Sequence, residues 1–285
     1  MKNKKRKIEI LVLSDVHLGT YGCHARELLR YLKSINPKTV ILNGDIIDIW
    51  QFSKRYWPKS HMKVVKHLMH WISKGKKTYY ITGNHDEMLR RFAGLKMGSF
   101  SIVNKLVLEL SDNRKAWFFH GDVFDVTMQH SKWLTKLGAI GYDTLIMLNR
   151  FVNFISEKVF RKGKLSLSKR IKNSVKSAVK FINNFEQTSA DIGISSKYDF
   201  VVCGHIHQPE IREISNAEGS ITYLNSGDWI ENLSALEYND GNWTIYRYNE
   251  ESFADTVLNK IEEEADLTTN QLFANLLSEF QLMKQ

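Results

Sequence analysis

The chain has 285 residues, of which 43% are hydrophobic and 12% aromatic, and this is enough to build a packed globular core. Its two cysteines, Cys23 and Cys203, are too few for a disulfide framework and favour a reducing, cytoplasmic compartment. No apolar run approaches the roughly 20 residues that span a bilayer. We therefore expect any membrane association to be peripheral, on the inner face of the cytoplasmic membrane.

The formal net charge of +9 is unevenly distributed along the chain. Residues 128–190 contain twelve Lys or Arg against three acids, whereas residues 251–285 contain seven acids against two lysines. We predict one domain over residues 1–250 with a basic insertion at about 128–190, followed by an acidic, helical C-terminal tail at 251–285.

The first third of the chain alternates between strand and helix patterns. Apolar runs at 8–13, 39–43 and 77–82 are separated by helical patterns near 24–36 and 60–74. Continuous apolar runs joined by helices are typical of parallel strands buried on both faces, which predicts an α/β fold. The polar stretches "SDVH", "NGDIID" and "GNHD" follow the three strands. Because ligands bind beyond the carboxyl ends of strands in such sheets, we expect these loops at one rim.

Shorter strands are predicted later in the chain, where turn-linked apolar runs indicate a second sheet of mixed or antiparallel type. These runs lie at 105–110, 115–119, 199–203, 221–225, 233–238 and 243–248. Two of them lead into histidine motifs, "HGD" and "GHIH". Between these motifs the basic insertion has apolar residues at helical spacing, such as Leu145, Leu148 and Val152, so we predict that it is helical.

Seven side chains at the predicted strand ends offer oxygen or nitrogen ligands for metals: Asp15, His17, Asp45, Asn84, His120, His205 and His207. Seven ligands are too many for one tetrahedral or octahedral ion, but they fit two ions that share a carboxylate. Asp45 is the expected bridge, because Gly44 before it allows a tight turn directly after the strand.

The remaining ligands divide into two predicted sets: Asp15, His17 and His207 for one ion, and Asn84, His120 and His205 for the other. Two ions about 3.5 to 4 Å apart clamp phosphoryl oxygens during an in-line displacement, which predicts hydrolysis of a phosphorus ester or anhydride. Taken singly, each residue also has a structural interpretation, since a lone histidine is usually hydrogen-bonded within the fold and a lone aspartate usually caps a turn. The ordered set as a whole favours the metal centre.

The blocks "DVH", "GDIID", "GNHD", "HGD" and "GHIH", in this order, resemble the five signature motifs of the calcineurin-like metallophosphoesterase superfamily over residues 10–228. The resemblance implies a four-layer α/β/β/α sandwich with a helical lid insertion and two divalent metal ions, usually manganese, iron or zinc. It also implies catalytic roles for His85, which would approach the phosphate or the leaving oxygen, and for Asp86, which would orient it.

Within this superfamily the chain looks most like the UDP-2,3-diacylglucosamine pyrophosphatase branch. That branch cleaves a lipid A precursor into lipid X and UMP at the inner membrane, with the inserted helices forming a lid over the acyl chains. The resemblance rests on "GDIIDIWQF", on "NSGDWIEN" and on the long helical insertion. It implies a phosphorylated lipid as substrate and peripheral membrane contact through the lid.

Two alternative functions stay open. The branch carries arginine where this chain has His85, so a soluble phosphodiesterase or phosphatase for nucleotides or other small phosphoesters is the second interpretation. A nucleic-acid binder would use the basic insertion, but the aromatic residues there follow helical core spacing and not that of a stacking platform. Outside the metal set, we expect Cys203 to be buried among apolar residues and Asp122 and Asp228 to lie at the rim.

Overall fold

The computed structural model describes residues 5–49, 56–124 and 185–251. Twelve strands lie within these residues: β1 (Arg6–Leu13), β2 (Ile35–Asn43), β3 (Lys77–Ile81), β4 (Lys96–Met97), β5 (Phe100–Val103), β6 (Leu106–Glu109), β7 (Lys115–Phe118), β8 (Phe200–Cys203), β9 (Glu210–Asn216), β10 (Gly219–Asn225), β11 (Ser234–Asn239) and β12 (Asn242–Arg247). The helices are α1 (Ala25–Ser34), α2 (Lys59–Ser73) and α3 (residues 185–195), with two short 3₁₀ helices at Glu87–Phe92 and Asp122–Phe124.

The first sheet has seven strands in the order β12-β11-β1-β2-β3-β5-β4. Its central strands β1, β2, β3 and β5 are parallel, as the alternation of strands and helices predicts. The side chains of Leu11, Val12 and Leu13 are almost fully buried, because successive residues of β1 face opposite covered sides of the sheet.

Helices α1 and α2 cover the outer face of this sheet. In α1 the buried residues Ala25, Leu28 and Leu32 recur at helical spacing, and in α2 Val64 and Leu68 do the same. Both helices contribute to one apolar cluster with the sheet. The helical patterns of the sequence are therefore confirmed, and the parallel strand ends are left open for a site.

The second sheet has five strands in the order β6-β7-β8-β10-β9, with β7, β8 and β10 parallel. The prediction that 233–238 and 243–248 belong to this sheet is wrong. Strand β11 pairs antiparallel with β1, with Leu236 opposite Val12, and β12 extends the first sheet beyond β11. Apolar runs identify strands, but their pairing depends on contacts between residues far apart in sequence.

The two sheets pack face to face, which completes the expected four-layer α/β/β/α sandwich. A cluster that includes Ile41, Phe118 and Leu224 lies between the sheets. A further cluster joins the outer face of the second sheet to Phe185 and Ala190 of α3. The parallel strands of both sheets therefore carry their loops to one edge of the sandwich.

The predicted insertion and tail fall largely outside the described residues. Residues 128–184 of the insertion and 252–285 of the tail are not described, whereas residues 185–190 belong to α3 and pack on the second sheet. Within residues 5–49, 56–124 and 185–251, no helix is both long enough and apolar enough to cross a membrane.

Candidate metal centre

The seven predicted ligands all follow strands whose carboxyl ends lie at the shared edge of the two sheets. Asp15 and His17 follow β1, Asp45 follows β2, and Asn84 follows β3, all in the first sheet. The second sheet contributes three histidines after β7 and β8, namely His120, His205 and His207. The candidate centre is therefore assembled from both layers of the sandwich.

The first predicted set of ligands is close together. Asp15, His17 and His207 each offer a ligand atom, and these atoms lie within 4.8 Å of one another. The Oδ1 atom of Asp15 is 3.1 Å from Nε2 of His207 and 4.0 Å from Nε2 of His17. Two imidazole nitrogens and a carboxylate oxygen at these separations could hold one divalent ion.

Asp45 lies between the two predicted sets. Its Oδ2 atom is 3.3 Å from Nε2 of His120 and 3.9 Å from Nε2 of His17, so one carboxylate oxygen faces a ligand of each set. The rings of His120 and His205 are 5.2 Å apart. This arrangement is the one that a bridging carboxylate requires.

Several predicted ligands have buried polar atoms without a hydrogen-bond partner among the described residues. These atoms are both ring nitrogens of His17, Oδ1 of Asn84 and Nε2 of His120. A buried polar atom left unpaired costs roughly 1 to 3 kcal/mol. The donor set of carboxylate, amide and imidazole groups therefore fits divalent cations, which would satisfy these atoms.

The backbone sets the orientation of the His120 ring. Its Nδ1 atom lies 2.9 Å from the carbonyl oxygen of Asn43, so Nδ1 carries a proton and donates it to that oxygen. Asn43 in turn donates from Nδ2 to the carbonyl of Phe119 at 3.0 Å. The Nε2 atom of His120 is thereby directed at Asp45, the orientation that a metal ligand needs.

The charges in the centre are strongly coupled. Burial alone would raise the pKa of Asp15, but the neighbouring His207 lowers it to about 2. Burial would likewise lower the pKa of His207, yet Asp15 raises it to about 9. Burial and repulsion from His85 lower the pKa of His17 to about 4. Metal ligands must be deprotonated, so a cation would compete with the proton shared by Asp15 and His207, and metal affinity should rise with pH.

Five of the seven predicted ligands adopt left-handed backbone angles, with φ of 51° at Asp15, 50° at His17, 54° at Asp45, 68° at His205 and 54° at His207. Such angles are uncommon for residues other than glycine and cluster at functional sites. Hydrogen bonds between the loops stabilise them: the backbone N–H of Asp15 donates to the carbonyl of Gly44 at 3.1 Å, and that of His17 to the carbonyl of Asp45 at 2.9 Å.

Two glycines allow the ligands to approach the backbone closely. Gly44 has a φ of +84°, and a Cβ atom there would overlap the ring of His120. A Cβ on Gly83 would overlap Oδ1 of Asp45 and would lie 2.8 Å from Cδ2 of His120. The Asp45 carboxylate and the His120 ring therefore pack against bare backbone, as the tight turn predicted at Gly44 requires.

His85 lies beside the first set of ligands, with its ring 4.6 Å from that of His17. Its Nδ1 atom is 3.0 Å from Oδ2 of Asp48, and its backbone N–H donates to Oδ1 of Asp45 at 2.8 Å. Burial alone would lower the pKa of His85, but the hydrogen bond to Asp48 raises it. The imidazolium form, which donates hydrogen bonds to phosphoryl oxygens, is favoured as a result.

The Asp86 carboxylate contacts backbone groups of two neighbouring loops and the hydroxyl of Tyr80. Its carboxylate accepts hydrogen bonds from the backbone N–H of Gly83 at 2.6 Å, from that of Ile46 at 3.0 Å and from the hydroxyl of Tyr80 at 2.6 Å. The carboxylate beside the His85 ring is that of Asp48. Asp86 therefore joins the loops after β2 and β3, and its expected role in orienting His85, which would act through the loop carrying both residues, stays a prediction.

Sequence reasoning missed Asp48, which is 2% exposed and also lies 3.9 Å from Nδ1 of His17. The available signal was the second acid of "GDIID", three residues after the expected bridge.

Asp228, expected at the rim, accepts hydrogen bonds from the backbone N–H groups of Ile230 and Glu231 and from Nδ2 of Asn232. Asn232 also donates to the carbonyl of His207 at 2.8 Å, so Asp228 supports that loop. Cys203 is fully buried among apolar side chains, as expected.

The chain is similar to known proteins over most of its length. The family model described as "Calcineurin-like phosphoesterase" matches residues 8–209. A UDP-2,3-diacylglucosamine hydrolase of Blochmanniella pennsylvanica (strain BPEN) is 24% identical over 248 residues, covering 82% of this chain and 94% of that protein. The protein of the same name from Aliivibrio fischeri (strain MJ11) is 22% identical over 251 residues, covering 84% of this chain and 98% of its own length. Among solved structures, an archaeal phosphodiesterase with 15% identity aligns over 84% of this chain and 98% of its own, with a TM-score of 0.40. The chain belongs to the calcineurin-like phosphoesterase family and is a metal-dependent hydrolase.

Proposed function

We propose that this hydrolase cleaves the diphosphate of UDP-2,3-diacylglucosamine to give lipid X, which is 2,3-diacylglucosamine 1-phosphate, and UMP. The observation that carries a two-metal phosphoester hydrolase is the position of Asp45 Oδ2 between the His120 and His17 rings. The lipid substrate is supported by two relatives that are named UDP-2,3-diacylglucosamine hydrolases and align over nearly their whole length.

In this proposal the seven ligands hold two divalent ions, with Mn²⁺ as the first choice and Fe or Zn as alternatives. Asp15, His17 and His207 would bind one ion, Asn84, His120 and His205 the other, and Asp45 both. When bound, such a pair supplies an activated water and neutralises charge on the phosphoryl oxygens. The nearly complete burial of Asp15, Asp45 and His120 keeps bulk water away from the ligand atoms and strengthens their electrostatic interactions.

His85 is the proposed catalytic residue beside the metals. Asp48 holds Nδ1 at 3.0 Å and favours the imidazolium, so the other edge of the ring can donate a hydrogen bond or a proton to a phosphoryl or leaving oxygen. Asp86 would act only through the loop that carries His85, since its carboxylate binds the backbone of Gly83 and Ile46. We therefore assign Asp86 to positioning and His85 to catalysis.

Peripheral membrane contact is part of the proposal, since the substrate carries acyl chains. The segment directly after the His85 loop exposes several apolar side chains: Met88 is 51% exposed, Phe92 44%, Leu95 41% and Met97 55%. The guanidinium of Arg91 lies 4.9 Å from the centre of the Phe92 ring. Apolar side chains beside cations are typical of surfaces that meet anionic lipid. The lid at 128–190 is the second proposed contact, and its residues 128–184 lie outside the described part of the chain.

The test is hydrolysis of purified UDP-2,3-diacylglucosamine by the full chain with Mn²⁺ in mixed micelles. We expect equal amounts of UMP and lipid X, loss of both in EDTA, and loss of both in His120→Ala. The proposal of a lipid substrate fails if the lipid stays intact while the same preparation hydrolyses bis(p-nitrophenyl) phosphate.

That outcome would favour a soluble phosphodiesterase or phosphatase for nucleotides or other small phosphoesters. The observation in favour of this second candidate is His85 itself, because an imidazole bound to Asp48 is not equivalent to the arginine of the resembled branch as a partner for a diphosphate. Comparing kcat/KM for the lipid, for UDP-glucose and for an aryl diester in one preparation separates the two candidates.

A further inference from the structure

Arg90 lies in the 3₁₀ helix that follows the loop with Asn84 and His85. Its guanidinium forms an ion pair through Nη2 with Oδ2 of Asp122. The same side chain donates from Nη2 to the carbonyl of Gly83 and from Nε to the hydroxyl of Thr82, each at 3.4 Å. One guanidinium therefore contacts the two residues directly before Asn84 and a carboxylate 32 residues further along the chain.

The two segments that Arg90 joins come from different sheets. Gly83 follows β3 of the first sheet, whereas Asp122 follows β7 of the second and lies two residues after His120. Asn84 and His120 are two of the ligands proposed for the second ion. Their spacing therefore depends on how the ends of the two sheets are held together, and Arg90 bridges them at this point.

The burial of the pair is asymmetric. The Asp122 side chain is 8% exposed, whereas that of Arg90 is 37% exposed. A buried carboxylate requires a counter-charge, and Oδ1 of Asp122 has no hydrogen-bond partner among the described residues. Removing Arg90 would leave Asp122 buried without its cation, so the turn that carries His120 would move toward solvent.

We infer that Arg90 is a positioning residue for the second ion and acts through Asp122 to fix the distance between Asn84 and His120. The inference rests on the proposed function, because it takes the proposed ligand sets as given. The first set is Asp15, His17 and His207, and none of the contacts recorded for Arg90 involves these residues. The two ions should therefore respond differently to its loss.

An ion pair that only stabilised the fold would lower the melting temperature without separating the two ions. A positioning residue instead weakens one binding event and spares the other. Loss of groups that orient metal ligands commonly costs about 10- to 100-fold in metal affinity. We expect Arg90→Ala to weaken the second Mn²⁺ by that factor and to leave the first within about twofold.

The matched control is Arg91→Ala, since Arg91 is the exposed next residue and its recorded contact is with the Phe92 ring. Two conservative variants allow the test to be decided even if Arg90→Ala does not fold. Arg90→Lys keeps the charge but cannot pair with Asp122 and reach Thr82 and Gly83 together, so the second affinity should fall to an intermediate value. Asp122→Asn keeps the shape and removes the charge, and should resemble Arg90→Ala.

The experiment is calorimetric titration of Mn²⁺ into the metal-free full chain, with circular dichroism to confirm the fold. The inference is supported if wild type and Arg91→Ala each show two binding events and if the second event is weakened in Arg90→Ala, Arg90→Lys and Asp122→Asn. If the fold of Arg90→Ala is lost, the two conservative variants decide. Two unchanged events in every folded variant overturn the inference alone. Fewer than two events in wild type overturn the proposed function and the inference with it.

Discussion

Replacing Asp48 by asparagine tests the role of His85 without replacing a proposed ligand. Asp48 Oδ2 is 3.0 Å from His85 Nδ1, and this contact raises the pKa of the ring against the effect of burial. In Asp48→Asn the pKa of His85 should fall, because the amide keeps a hydrogen-bond acceptor but lacks the negative charge. The imidazolium would then be lost at a lower pH.

The size of the effect follows from the distance. Two unit charges 3.0 Å apart interact by about 1.4 kcal/mol in water and about 5.5 kcal/mol at an effective dielectric constant of 20. Burial of the Asp48 side chain, which is 3% exposed, strengthens the interaction, whereas the His85 side chain is 25% exposed and solvent screens it, so the value lies between these limits, at about 1.5 to 3 kcal/mol. Loss of that energy lowers the pKa of His85 and, at a pH where the imidazolium is lost, lowers kcat by roughly 10- to 100-fold.

The assay is the pH dependence of kcat for bis(p-nitrophenyl) phosphate with saturating Mn²⁺, together with bound metal measured on the same samples. The alkaline limb should move to lower pH in Asp48→Asn, with KM little changed and both ions retained. In a His85→Ala background the same substitution should have no further effect on kcat. An unmoved alkaline limb, or loss of an ion through the contact of Asp48 with His17, would refute the assignment of Asp48 to His85.

Further substitutions test other parts of the structure. His120→Ala should abolish turnover by loss of metal while His85→Ala keeps both ions and loses rate, so a metal-free His85→Ala protein would contradict this division of roles. Gly83→Ala places a Cβ 2.8 Å from Cδ2 of His120 and should reduce bound metal and destabilise the fold by about 1 to 3 kcal/mol in denaturant titrations. Burial and repulsion from Lys5 lower the pKa of His67 to about 4, so the unfolded chain binds a proton that the folded chain does not, and stability is lost as the pH falls from about 6.5 to 4. His67→Gln should flatten that part of the stability profile, and an unchanged slope in this variant would contradict the prediction.

The sequence predicted the main features of the fold because they are local. Apolar runs that end in polar motifs identified β1, β2 and β3, and helical spacing identified α1 and α2. Strand β9 was not predicted, because "EIREISN" is charged and lies at the edge of its sheet, where exposed positions hide the apolar alternation. The partners of β11 and β12 were missed for a different reason, since the pairing of β11 with β1 joins residues more than 200 positions apart.

In the candidate site, too, local features could be predicted from the sequence and contacts between distant loops could not. The seven candidate ligands could be chosen from residue type and order, because carboxylates and imidazoles at strand ends have a defined chemistry. Their backbone angles could not be predicted, since a left-handed φ is signalled in sequence mainly by glycine. The five candidate ligands that adopt it are aspartate and histidine residues. The relation between His85 and Asp48 was also hidden, because it depends on how the loop after β2 folds against the loop after β3.

Asp15 shows how closely ligand and scaffold are combined in these loops. One of its carboxylate oxygens, Oδ1, faces His207 at 3.1 Å, and the other accepts the backbone N–H of His205 at 3.0 Å, where φ is 68°. Asp15→Asn removes the charge but can still accept from His205, whereas Asp15→Ala removes both. In EDTA, where no ion contributes, the free energy of unfolding of the alanine variant should be about 1 to 2 kcal/mol lower than that of the asparagine variant, with a lower denaturant midpoint. Both variants should lack metal when Mn²⁺ is restored. Equal midpoints would mean that the left-handed turn at His205 is held by other contacts and that Asp15 serves the metal alone.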